Sequence, residues 1–137
     1  MSKCKDKSIS TPYGERFLRV CNYDSNSRIA IMLYDKDECY YDDLTINLPN
    51  FFISDIDEGY INGDINFTDE KGYNIVNTLK KLKIIKESYG FRSYNLGKYE
   101  YVKFDLEKLK EYDSKGIQNF HNQISEVGEF QLYDIKI

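Results

Sequence analysis

Eleven carboxylates fall between residues 35 and 70, against a single base, Lys36. They are Asp35, Asp37, Glu38, Asp42, Asp43, Asp55, Asp57, Glu58, Asp64, Asp69 and Glu70. Acids at this density can coordinate a hard cation, share acid–base work, or present a row of negative charge to a basic partner. Spacing separates these chemistries. A calcium loop of the EF-hand kind needs oxygen ligands at its first, third and fifth positions, glycine at the sixth and glutamate at the twelfth. Counted from Asp35, the sixth residue is Tyr40 and the twelfth Ile46; counted from Asp55, the fifth is Gly59 and the twelfth Asn66. Both starts fail. Eleven acids also make chance pairs common, so proximity alone does not argue for a carboxylate-pair hydrolase. A carboxylate-metal enzyme remains the weakest of three functional alternatives, and no metal, cofactor or catalytic residue is assigned.

Other reactive types are sparse. His121 is the only histidine, and it lies in a polar stretch with no nucleophile in a recognisable context. Cys4, Cys21 and Cys39 are odd in number and form no Cys-x-x-Cys pair, which fits a reducing cytoplasm. There is no phosphate-binding glycine loop; Glu58-Gly59 and Asn62-Gly63-Asp64 carry turn chemistry. Lys71 to Lys110 interleaves bases with Phe91, Tyr94, Tyr99 and Tyr101, the composition of a nucleic-acid surface. The formal net charge of −4 argues against direct nucleic-acid binding.

The distribution of charge is more informative than its total. Residues 1–34 carry +3, residues 35–70 carry −10, residues 71–110 carry +6 and residues 111–137 carry −3. A dense row of carboxylates can imitate the phosphates of a nucleic acid and fill a basic groove on another protein. Tyr40 and Tyr41 place aromatic anchors beside Asp42 and Asp43. The expected partner-binding set is therefore Asp35, Asp37, Glu38, Tyr40, Tyr41, Asp42, Asp43, Asp55, Asp57 and Glu58. Its expected partner is a protein that itself binds nucleic acid.

These residues need a frame. At 137 residues the chain is expected to be one domain, with residues 1–13 a loose leader or a short first strand. No signal-peptide pattern is evident, and the longest apolar run, Ile29 to Tyr34, is far short of the roughly 20 residues of a membrane helix. Arg16 to Tyr23, Arg28 to Tyr34 and Tyr40 to Leu48 read as three antiparallel strands joined by polar turns. Both faces of the second are apolar, as in a central strand. Thr68 is the expected N-cap of the main helix, which carries Ile75, Val76, Leu79 and Leu82 on one stripe and ends between Lys83 and Glu87. Two strands or one bent strand follow around Gly97. Asp105 is expected to cap a short C-terminal helix, residues 113–128 are read as polar with Gly116 and Gly128 as breakers, and a last strand is expected around Phe130 to Ile135. The class is α+β: an antiparallel sheet of five or six strands with one main helix on one face.

The order of segments resembles an uncharacterised family of small proteins carried by phages, plasmids and conjugative elements of low-GC Gram-positive bacteria. The similar features are Ile29-Ala30-Ile31-Met32-Leu33, an acidic turn, Leu44-Thr45-Ile46-Asn47-Leu48, a helix, Gly90-Phe91-Arg92-Ser93-Tyr94, and Phe104-Asp105-Leu106-Glu107-Lys108-Leu109. They cover residues 15–112; the chain departs in its helix region and carries a tail after Asp113. The family supplies no catalytic residues. The resemblance implies a mobile-element origin and, with it, an inhibitor of host defence of the anti-CRISPR type. A non-inhibitory accessory or adaptor protein of the element is the alternative.

Overall fold

The computed structural model describes residues 6–127. Its strands form two antiparallel sheets of four. The first is a meander of β1 (Ile9–Thr11), β2 (Gly14–Asn22), β3 (Ile29–Tyr34) and β4 (Tyr40–Asp43), in that spatial order. The second contains β5 (Thr45–Ile46), β6 (Glu58–Ile61), β7 (Ile85–Tyr94) and β8 (Gly97–Phe104), in the order β5-β6-β8-β7. Three α-helices accompany them: α1 (Ile75–Lys81), α2 (Leu106–Leu109) and α3 (Ser114–Val127). The α+β class stands, but eight strands in two sheets replace one sheet of five or six. The expected strand around Phe130 to Ile135 lies outside the described residues.

The step from one sheet to the other is made at Leu44. The alternation from Tyr40 to Leu48 predicts one strand, yet its two halves pair differently. The Leu44 N–H donates to the Ile31 carbonyl of β3 at 2.9 Å, while its own carbonyl accepts from the Asn62 N–H, just after β6, at 2.8 Å. The Thr45 hydroxyl accepts the Ile31 N–H at 3.0 Å and shares a 2.8 Å hydrogen bond with the Tyr23 hydroxyl. Leu44 is fully buried and belongs to a core cluster that takes Leu18, Ile31 and Leu33 from the first sheet and Ile61, Val102 and Phe104 from the second. Burying one apolar residue between two sheets secures both pairings at once. β3 is indeed central, between β2 and β4.

Of the two readings of residues 1–13, a short first strand is what Ile9–Thr11 form: Ile9 is buried in the core and opposes Arg16 in register. The main helix is not the one around residue 75. Thr68 caps nothing; Asp69 accepts the N–H groups of Lys71 and Tyr73 at 2.9 Å, and Gly72 at φ +79° turns the chain. A side chain that satisfies nearby backbone in this way competes with helix. Asn74 is the actual cap, accepting the Asn77 N–H at 3.0 Å, and α1 runs for only 7 residues. The longest helix is α3, with 14 residues in a stretch expected to be broken by Gly116. Ile117, Phe120 and Ile124, spaced as one helical stripe, pack into the core. The expected cap of α2 is present: Asp105 accepts the Lys108 N–H at 3.1 Å.

Candidate functional site

The acidic residues divide by their position in this frame. Asp35 closes the β3–β4 turn, its carboxylate accepting the N–H groups of Asp37 at 2.9 Å and Cys39 at 3.0 Å. That is the local bonding an aspartate favours in a turn. It leaves Asp37 and Glu38 exposed at the tip. β4 is the edge of the first sheet, with Asp43 exposed and Tyr40 and Tyr41 56% and 50% exposed. The Asp42 carboxylate accepts the Asp43 N–H at 2.9 Å. Among the described residues, none of Asp35, Asp37, Glu38, Asp42 and Asp43 takes part in an ion pair.

The other three expected partner-binding acids are engaged within the fold. Lys103 on β8 lies 2.9 Å from Asp57 and 4.0 Å from Asp55. Glu58, the first residue of β6, is 3% exposed. Its carboxylate accepts from the Ser54 N–H at 2.7 Å, the Ser54 hydroxyl at 2.8 Å, the Tyr101 hydroxyl, and the Tyr89 hydroxyl at 3.4 Å. Glu58 is therefore a buried anchor of its own loop and is withdrawn from the surface set. Burial pushes its pKa up, but the Tyr101 and Ser54 hydrogen bonds and the charge of Lys103 outweigh that and hold it below the usual glutamate range. A carboxylate so held is a poor general base, despite the Ser54 hydroxyl on it.

The lysines of α1 do not neutralise the acidic segment. Lys80 pairs at 2.8 Å with Glu100, which is buried on β8. Asn66 and Ser88 complete the shell of Glu100. Burial pushes Glu100 up as well, and these partners again win, holding it low.

Beside β4 lies a groove of about 360 Å³. Tyr13 and Arg16 line it from the β1–β2 hairpin, and Tyr41 and Asp42 from β4. Asp64, Phe67, Asp69 and Tyr73 close the far side. The Arg16 guanidinium, only 8% exposed as a residue, lies 3.8 Å over the Tyr41 ring. The Tyr13 hydroxyl donates to Asp69, which pushes the Tyr13 pKa up to about 12, and Lys71 sits 4.6 Å over the Tyr13 ring. Phe67 is 57% exposed. The Tyr73 hydroxyl is buried without a hydrogen-bond partner among the described residues. Sequence reasoning misses this groove because its walls come from residues 11–16, Leu33, residues 41–42 and residues 64–75, which no local pattern links.

His121 is exposed on α3, its ring edge-on to Phe120. Cys21 and Cys39 are free thiols. Among the described residues, no three His, Cys, Asp or Glu side chains are grouped as a metal ion would require, and no helix is long and apolar enough to cross a membrane.

Residues 17–124 match the model of a family described as a domain of unknown function, DUF4313, and the chain belongs to that family. The match runs past residue 112, where the resemblance was expected to end, and takes in most of α3. No curated protein matches the chain, and no solved structure does.

Proposed function

We propose that this DUF4313 member is a non-enzymatic protein of a mobile genetic element that inhibits a host defence nuclease, as anti-CRISPR proteins do. It lays its acidic edge into the basic nucleic-acid groove of the target. One observation carries the reading: Asp37, Glu38 and Asp43 stand exposed and, among the described residues, without ion pairs along a sheet edge, next to the half-exposed rings of Tyr40 and Tyr41. Charge beside aromatic area is the composition of an interface anchor, and such an edge attracts a basic partner over a distance of about 10 Å at ordinary salt. Asp55 and Asp57 contribute less, because Lys103 already offsets them. The mobile-element setting rests on the resemblance in segment order.

The test is a triple reversal, Asp37→Lys, Glu38→Lys and Asp43→Lys, in the full chain. The wild-type protein should capture a nuclease complex from a defence-positive host lysate and block its cleavage, less effectively as salt rises. The triple variant should lose both activities at unchanged thermal stability. A triple variant that inhibits as well as the wild type sinks the proposal.

A second reading is a self-associating accessory protein of the element. It draws on the β7–β8 hairpin, where Phe91, Tyr94 and Leu96 are 55%, 44% and 105% exposed beside the outer edge of β7. Exposed apolar side chains on an unpaired edge favour pairing with another chain. Light scattering that finds a stable oligomer, with no nuclease captured, selects this reading.

A further inference from the structure

The groove beside β4 combines ring faces with uncompensated carboxylates. We propose that it is the anchor site for one arginine side chain presented by a protein partner. This rests on the binding role above and names the contact that would hold the partner.

The rings already show their taste for cations. Arg16 lies over Tyr41 and Lys71 over Tyr13, so the chain's own charges cover those two faces. Phe67, the most exposed ring of the groove, has no such cation over it among the described residues. The carboxylates differ in the same way. Asp69 is taken up by the Tyr13 hydroxyl and the Lys71 and Tyr73 N–H groups. Among the described residues, the Asp42 carboxylate holds only the Asp43 N–H. Asp64 is exposed, and no described residue bonds its carboxylate.

Together these leave an open ring face and two acceptors with spare capacity. An arginine satisfies both, because a planar guanidinium stacks on a ring while its N–H fork bonds carboxylates. A phosphate would meet the carboxylates of Asp42, Asp64 and Asp69, while the two cations at the groove, Arg16 and Lys71, already face rings. A neutral apolar ligand could cover Leu33, Ile65 and Ile75 but would strip water from Asp42 and Asp64 without offering them a donor. The side chain is one that a protein presents, because the Tyr41 and Asp42 of the groove belong to the same strand as the exposed Tyr40 and Asp43 of the proposed interface.

The experiment is an amide-resolved NMR titration of the full chain with acetyl-glycyl-arginyl-glycinamide. The same peptide with citrulline, the neutral isostere, is the control. Saturable shifts are expected at Tyr41, Asp64 and Phe67 with arginine and none with citrulline. Asp64→Asn and Phe67→Ala should each weaken binding about fivefold. Both positions are exposed, so the spectra of the variants should stay dispersed. Gln118→Ala, at an exposed position of α3 outside the groove, should leave the affinity unchanged within about twofold. Equal shifts from citrulline, no shifts in the groove, or an Asp64→Asn variant that binds normally would each overturn the assignment. The two proposals fail separately. Inhibition lost in the triple reversal with no arginine binding sinks the anchor alone; arginine binding with no captured nuclease sinks the inhibitor alone.

Discussion

The Asp113 carboxylate joins α3 to β2: one oxygen accepts the Val20 N–H at 2.8 Å and the other accepts the Gly116 N–H at 3.1 Å. β1 pairs with β2 only as far as Arg16, so at Val20 this side of the strand has no neighbouring strand among the described residues, and α3 packs there. Asp113 thus caps the helix and completes the hydrogen bonding of the strand with a single group.

Gly116 is what allows the approach. A Cβ there would stand 2.0 Å from the Asp113 carboxylate and 2.8 Å from the Val20 carbonyl, so α3 would have to move. Gly116→Ala should cost about 2–3 kcal/mol by urea denaturation, the upper range for overpacking. Asp113→Ala should cost about 2 kcal/mol, because it strands two backbone donors. Lys115→Ala, at an exposed neighbour, should fall within about 0.5 kcal/mol of wild type.

Acid should destabilise the fold through Glu58 and Glu100. Both are held below the ordinary value of 4.5, so the native state binds fewer protons there than the unfolded chain. The stabilisation is fully present above about pH 4.5 and is lost as pH falls through the lowered values. Denaturation midpoints measured from pH 7 to pH 3 should be flat at first and then drop. Glu100→Gln should flatten that drop. Lys80→Met should cost about 2 kcal/mol at pH 7, less than a fully buried pair because Lys80 is 38% exposed. Tyr101→Phe should cost about 1–2 kcal/mol and raise the Glu58 pKa.

Lys83 ends α1 in a left-handed conformation, φ +68°. Behind it, the Ile84 N–H reaches the Leu79 carbonyl at 2.9 Å and the Lys83 N–H reaches the Lys80 carbonyl at 3.1 Å, a Schellman closure with lysine where glycine is usual. Lys83→Gly should therefore stabilise the protein by about 0.5–1 kcal/mol, the strain relieved being partly offset by a freer unfolded chain. A lower thermal midpoint for this variant would contradict the strain argument.

The acidic edge should be thermodynamically quiet. Asp37→Lys and Asp43→Lys are expected to shift stability by less than about 0.5 kcal/mol each, because neither residue has an ion partner among the described residues. Asp35→Ala is different: it removes the acceptor for two turn N–H groups and should cost about 1 kcal/mol.

Local pattern was enough for β2, β3 and the α2 cap, because alternation and a capping side chain act over a few residues. It failed at α1 and α3 for opposite reasons. Around residue 70 the apolar stripe was visible, but Asp69 and Gly72 divert the chain into a turn before the helix can start. Around residue 116 the glycine suggested a break, although the Asp113 cap and the spacing of Ile117, Phe120 and Ile124 were there to be read. A glycine that a helix needs for close packing looks, in sequence, like one that ends it.

The acidic segment shows the same division. The sequence alone determined that eleven carboxylates crowd into residues 35–70, that no calcium loop can be drawn through them, and that strand alternation begins within them. Only the tertiary structure decided what each acid does. Strand pairing sets Glu58 opposite Lys103 and near Tyr101, and Lys103 also meets Asp55 and Asp57, so these acids serve the fold. β4 is left at a sheet edge, so Asp37, Glu38 and Asp43 face outward. Charge is a property of composition, but whether it is spent within the molecule or offered to another depends on which distant cations and hydroxyls the fold brings within hydrogen-bond reach.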